Sequence, residues 1–228
     1  GVENTLIGGL SGDAITTGSE NVALGYNSLS AGVASFYNTA IGKDALAADT
    51  TGRHSVAIGR DALTTQNNTT SADMYNVAVG SSAGAAVTTG LQNTLIGGNA
   101  GDALTDADFN IAIGTDALGT DTLGSRSIAI GRRALLTQNF TTATDAYNVA
   151  VGFATDDGAL NVAVGASALS ANCANSNTAV GVTALVVTTG ASNTALGYQA
   201  GASVTSGNSN IFLGRDAGIT GSPGGNIT

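Results

Sequence analysis

The sequence predicts an all-β chain wound as a parallel β-roll, a solenoid of about thirteen coils, and three observations predict it. A pentapeptide of the type Ser55-Val56-Ala57-Ile58-Gly59 recurs thirteen times, ending at Gly8, Gly25, Gly42, Gly59, Gly80, Gly97, Gly114, Gly131, Gly152, Gly165, Gly181, Gly197 and Gly214. A period of this size marks a stacked, quasi-one-dimensional architecture in which each unit buries its apolar face only against its neighbours. The apolar spacing within the pentapeptide is two, and glycine is too frequent (33 of 228 residues) for helix.

The first element of each coil reads Asn-(Thr/Val/Ile)-Ala-(Ile/Val/Leu)-Gly, as in Asn38-Thr39-Ala40-Ile41-Gly42. Its β-branched, alternating character suits a short strand. Strand parity puts the second and fourth places on one face, and Asn and Ala on the other. The aliphatic second and fourth places are expected to fill the interior. The glycine is expected to end the strand at positive φ. A second short strand is expected at Ala45-Leu46, Ala62-Leu63, Ala117-Leu118 and Ala184-Leu185. Thirteen coils at ~4.8 Å spacing give a rod on the order of 60 Å long.

The steps between glycines run 17, 17, 17, 21 and then repeat, which makes a 72-residue super-repeat over 4–75 and 76–147. A short step of 13 residues follows, leaving an irregular coil at 153–160. The roll is expected to occupy 1–220 and a flexible linker, containing the only proline, 221–228. The chain starts inside the repeat pattern and reads as a segment of something longer.

Composition excludes several classes of function. Charged residues make up 10%, with 16 acids against 7 bases, which argues against nucleic acid as a partner. The acidic balance fits an extracellular protein. No stretch of 18 apolar residues offers a membrane contact. Cys173 is the only cysteine, so no internal disulfide forms, and it reads as a buried filler. With one histidine, His54, and one cysteine, neither a zinc site nor a catalytic triad is expected. No cofactor is expected, and the chain reads as no enzyme. Asp156-Asp157 is the better of two weak cation candidates. Lys43-Asp44, Arg60-Asp61 and Arg215-Asp216 read as solvated turn charges.

The third place is alanine at 23, 40, 57, 78, 112, 129, 150, 163, 179 and 195, against Leu6, Leu95 and Phe212 elsewhere. Read as an outward stripe, Ala23, Ala40, Ala57, Ala78, Ala112, Ala129, Ala150, Ala163, Ala179 and Ala195 form an expected interface between copies. The two 21-residue coils carry longer connectors, Thr65 to Tyr75 and Thr137 to Tyr147. There Gln66, Asn67, Asn68, Tyr75, Gln138, Asn139, Phe140 and Tyr147 are candidate receptor contacts, suited to a glycan or a protein surface.

Ser55-Val56-Ala57-Ile58-Gly59 and Ser127-Ile128-Ala129-Ile130-Gly131 resemble the head repeat of trimeric autotransporter adhesins. The resemblance spans Asn4 to about Gly218, although the coils here are longer and less uniform than is usual there. It implies a left-handed roll, a homotrimer, and non-catalytic attachment to a host or cell-surface receptor. Asn193-Thr194-Ala195-Leu196-Gly197-Tyr198-Gln199-Ala200-Gly201 is also similar to repeats of phage tail-fibre proteins. Either resemblance implies an exposed location, on a bacterial outer surface or a virion. A passive spacer or fibre shaft without a ligand is the alternative. An ice-binding solenoid is a remote one, disfavoured because threonine is expected on the inward face.

Overall fold

The structure is a computed structural model that describes residues 1–68, 70–153, 158–171 and 173–218. The strands are short: β1 (Thr5–Ile7), β2 (Val22–Leu24), β3 (Thr39–Ile41), β4 (Val56–Ile58), β5 (Val77–Val79), β6 (Thr94–Ile96), β7 (Ile111–Ile113), β8 (Gly124–Ser125), β9 (Ile128–Ile130), β10 (Thr144–Asp145), β11 (Val149–Val151), β12 (Val162–Val164), β13 (Thr178–Val180), β14 (Thr194–Leu196) and β15 (Ile211–Leu213). Thirteen of them form one parallel sheet in chain order, skipping only β8 and β10, which pair with each other. Thirteen strands enclose about twelve full turns. The register joins like to like, as in Val56↔Val77, Ala57↔Ala78 and Ile58↔Val79.

The faces are the reverse of the sequence expectation. Ala23, Ala40, Ala57, Ala78, Ala112, Ala129, Ala150, Ala163, Ala179 and Ala195 are all buried inside the roll and form no outward interface. The second and fourth places point out and are half-buried to exposed, from Thr5 and Ile7 to Ile211 and Leu213. The reason is width. Each coil packs its third place against a residue six positions on, and only a methyl fits opposite a leucine such as Leu29, Leu46, Leu63 or Leu118. Threonine at the second place, as at Thr39 or Thr178, is therefore outward, not inward.

The exceptions obey the same volume rule. Where the third place is Leu95, the residue six on is Gly101, and the preceding coil has Gly84. A Cβ at Gly84 would lie 2.7 Å from Leu95 Cδ1, and one at Gly101 2.7 Å from Leu95 Cδ2. Leu6 faces Gly12 and Phe212 faces Gly201 in the same way. Backbone geometry does not demand these glycines, because Leu46 (φ 50°) and Gly84 (φ 59°) share one conformation. Space demands them. The glycine coils restore volume three residues later with Ile15, Val87 or Leu104, where the leucine coils carry Asp49, Gln66, Asp121, Gln138 or Thr188.

The expected second strand at Ala45-Leu46, Ala62-Leu63, Ala117-Leu118 and Ala184-Leu185 is a run of tight turns. Left-handed residues alternate there, Asp44 at φ 57° and Leu46 at φ 50°, so no extended segment forms. Neighbouring coils still bond to it on both sides: Asp44 N–H donates to Tyr26 O (3.0 Å) and Leu46 N–H to Ala62 O (3.1 Å). Asn and Asp at Asn27, Asp44, Asp61, Asn99 and Asp116 suit that conformation because short polar side chains tolerate it. The motif glycine does need its freedom. Gly59 sits at φ 137°, and a Cβ there would lie 2.3 Å from Gly80 O.

The first-place asparagines form a buried ladder beside the alanines. Each carbonyl oxygen accepts the next coil's backbone N–H, as from Asn21 to Asn4 (3.0 Å), Asn38 to Asn21 (3.0 Å) and Asn93 to Asn76 (2.9 Å). Each amide nitrogen donates to a carbonyl of its own turn, as Asn38 Nδ2 to Gly52 O (2.8 Å). A buried amide with its polar groups so paired costs no unmet hydrogen bond.

The expected linker at 221–228 and the Asp156-Asp157 candidate lie outside the described residues. Cys173 is buried, with Asn161 Nδ2 3.3 Å from its Sγ.

Candidate functional site

The two long coils concentrate what is chemically unusual. The asparagine ladder is interrupted there by Ser55 and Ser127, which leave a gap where a longer side chain would reach. Gln66 and Gln138 fill it. Gln66 Oε1 accepts from Asn76 Nδ2 (2.9 Å), and its Nε2 donates to Asp49 Oδ2 (2.9 Å) and Ser55 Oγ (3.1 Å). Gln138 repeats this with Asn148 (2.6 Å), Ser127 (3.3 Å) and Asp121. Both glutamines are wholly buried, so neither contacts a receptor. The sequence signal was available: a serine at the first place coincides with a glutamine eleven residues on, in both halves.

Asp49 is a buried carboxylate with no ion-pair partner among the described residues. Its oxygens accept from Gly52 N–H (2.8 Å) and Gln66 Nε2. Burial pushes its pKa up, opposed by those hydrogen bonds. The turn pairs behave differently. The hydrogen bond from Lys43, followed by that from Asn27, holds Asp44 below the usual carboxylate range. Lys43, Arg60 and Arg215 each meet the following aspartate at 2.5, 2.7 and 3.2 Å.

The remaining candidate contacts lie on the outside. Tyr75, Asn139 and Tyr147 are exposed, while Asn67, Asn68 and Phe140 are half-buried. Asn67 accepts from Thr50 Oγ1 (2.9 Å), and Asn68 holds its own connector by accepting from Thr70 N–H (3.1 Å). The two tyrosines belong to a column at the place before the first-place asparagine. In this column His54 lies between Tyr37 (centroids 4.7 Å apart, planes at 5°) and Tyr75 (5.0 Å, 12°). Further along, the Arg126 guanidinium lies over Phe109 (4.8 Å) and Tyr147 (5.8 Å). His54 shares its place in the repeat with Tyr37, Tyr75, Phe109, Arg126 and Tyr147, and the structure adds that these side chains stack.

The second and fourth places make the other large feature, a double aliphatic row along the whole sheet. Val22, Leu24, Ile96, Ile130, Val151, Leu196, Ile211 and Leu213 are among its exposed members. Two rows about 7 Å apart over about 60 Å give a stripe on the order of 400 Å², before side-chain width is added. That is as large as the largest apolar patch on an ordinary monomer.

No family profile matches this chain, and neither a curated protein nor a solved structure is significantly similar to it.

Proposed function

We propose that this chain is a non-catalytic segment of a homotrimeric surface fibre, presenting repeated surfaces to a host or cell-surface receptor, glycan or matrix. The observation that carries the reading is the double aliphatic row. It runs in register through thirteen strands from Thr5 to Leu213, so a partner with the same period matches it along its whole length. A second and third copy of the same chain meet that requirement. The resemblance to adhesin head repeats supports a left-handed roll, three copies and an exposed location on a bacterial surface or virion. The seam is therefore formed by residues such as Val56, Ile58, Ile128 and Ile130, in place of the alanines.

Attachment through a fibre of this kind is multivalent, so weak sites add through effective concentration. The test is adherence of fluorescently labelled protein to cells, comparing the wild type with Val56→Asp/Ile58→Asp. Dissociating the copies is expected to weaken adherence by about 10²-fold or more. Adherence unchanged by dissociation contradicts the reading.

A passive spacer is the second reading. The inward placement of Gln66 and Gln138 favours it, because it removes two of eight candidate contacts. A trimer that adheres to nothing supports the spacer. Ice binding needs regular outward threonine ranks in a monomer. Threonine is outward at Thr39, but its sheet neighbours at the same place are Val22 and Val56.

A further inference from the structure

The two ring-and-cation stacks are copies of one constellation. Tyr37, His54, Asp73 and Tyr75 recur 72 residues on as Phe109, Arg126, Asp145 and Tyr147. In the first, His54 Nε2 lies 3.7 Å from Asp73 Oδ1. In the second, Arg126 Nε donates to Asp145 Oδ1 at 2.8 Å. Substitution has changed the residue types, yet each copy keeps an aromatic ring, a planar nitrogen-bearing group, a tyrosine and a carboxylate in the same places.

Each cluster also leaves polar atoms unused. Among the described residues, the hydroxyls of Tyr75 and Tyr147, the Oδ2 atoms of Asp73 and Asp145, and the two terminal nitrogens of Arg126 make no hydrogen bond. Tyr75 and Tyr147 are each 50% exposed. Four strand steps separate the clusters, from β4 through β5, β6 and β7 to β9, which is about 19 Å along the rod.

We propose that the paired clusters are one repeated site for a neutral, hydroxyl-rich polysaccharide lying along the rod. This rests on the attachment reading above and names its ligand class. Sugar hydroxyls both donate and accept. They can donate to Asp73 and Asp145 and accept from Arg126 and the tyrosines, while ring edges cover the apolar sugar carbons. A polyanion is the poorer match. His54 and Arg126 each stand beside a carboxylate, and the chain carries a net charge of −9. A polymer suits the site better than a single sugar, because two similar clusters on one rod bind repeating units together.

The test is affinity electrophoresis of the intact protein in gels containing dextran, amylose, laminarin or mannan, with alginate as the acidic comparison. Retardation by at least one neutral polymer is expected. Asp73→Asn/Tyr75→Ala and Asp145→Asn/Tyr147→Ala are each expected to weaken it about 10²-fold, because either change removes bivalence. Tyr75→Phe/Tyr147→Phe keeps both stacks and removes only the hydroxyls. It is expected to lose about tenfold in binding with an unchanged melting temperature, which a merely structural role does not produce. No retardation by any of the four neutral polymers, retardation by alginate alone, or undiminished retardation of the variant that combines Asp73→Asn/Tyr75→Ala with Asp145→Asn/Tyr147→Ala overturns the proposal. Cell adherence without polymer binding removes this site and leaves attachment standing. A protein that neither adheres nor is retarded removes both.

Discussion

Leu95 tests the volume rule of the interior. Leu95→Ala removes a wholly buried side chain flanked by Gly84 and Gly101, which have no side chains to move into the space. The flanking backbone cannot collapse readily either, since Gly84 N–H is bonded to Ala100 O and Gly101 N–H to Ala117 O, both at 2.9 Å. The loss is therefore expected near the upper part of the Leu→Ala range, about 4 kcal/mol. Gly101→Ala in the wild type puts its Cβ 2.7 Å from Leu95 Cδ2 and 2.8 Å from Leu104 Cδ1. Overpacking of that kind costs about 1–3 kcal/mol, and the left-handed backbone adds about 1 kcal/mol. In the Leu95→Ala background the first clash is gone, and the new methyl recovers about 0.8 kcal/mol by filling the void. The two changes should thus couple favourably by at least about 1 kcal/mol. Urea unfolding followed by circular dichroism reads this, the chain having no tryptophan for fluorescence. Additivity within about 0.5 kcal/mol would show that Leu95 and Gly101 do not share one space, and would refute the rule.

Other changes probe other parts of the interior. Gln66→Leu leaves Asn76 Nδ2 without its Gln66 acceptor and Asp49 Oδ2 without its Gln66 donor. It should cost about 2–3 kcal/mol in the same assay, and a cost below about 0.5 kcal/mol contradicts the buried network. Gly59→Ala forces a methyl against Gly80 O at a φ that alanine avoids, so the purified variant should melt well below the wild type; an unchanged melting temperature contradicts the close approach. Asp49 provides a pH test. Burial raises its folded pKa above the ordinary value of 3.8, so its ionised form opposes folding. Relative to Asp49→Asn, the wild type should be most stable below pH 3.8 and should lose that advantage as pH rises through the raised folded value. A wild type that gains on the variant across the same rise contradicts the sign.

The period, the pentapeptide strands and the positive-φ glycines could be read directly, because each copy of the motif repeats the same local physics, whereas the expected second strand is a run of turns. Every strand of the main sheet is centred on a third-place residue such as Ala57 or Leu95. What parity could not supply is which face is inside. Alternation separates Val56 and Ile58 from Ser55 and Ala57, but it is symmetric between the two. The usual rule that larger aliphatic residues go inward then selects the wrong face, because this interior is too narrow for two of them per strand. The decisive signal was the exchange of size between Ala57 with Leu63 and Leu95 with Gly101, which only facing residues would show. The asparagines misled in the same direction. Asn38 looks like surface until its oxygen is seen to accept Ser55 N–H at 2.8 Å. The stacks around His54 and Arg126 depend on side-chain rotamers as well as on register, across steps of both 17 and 21 residues.

Sedimentation equilibrium of the chain, with Val56→Asp/Ile58→Asp beside it, tests the outward aliphatic row most directly. A mass three times 22.1 kDa is expected for the wild type and 22.1 kDa for the variant, with the β spectrum kept in both. A wild type that sediments at 22.1 kDa, or a variant that still assembles, contradicts it.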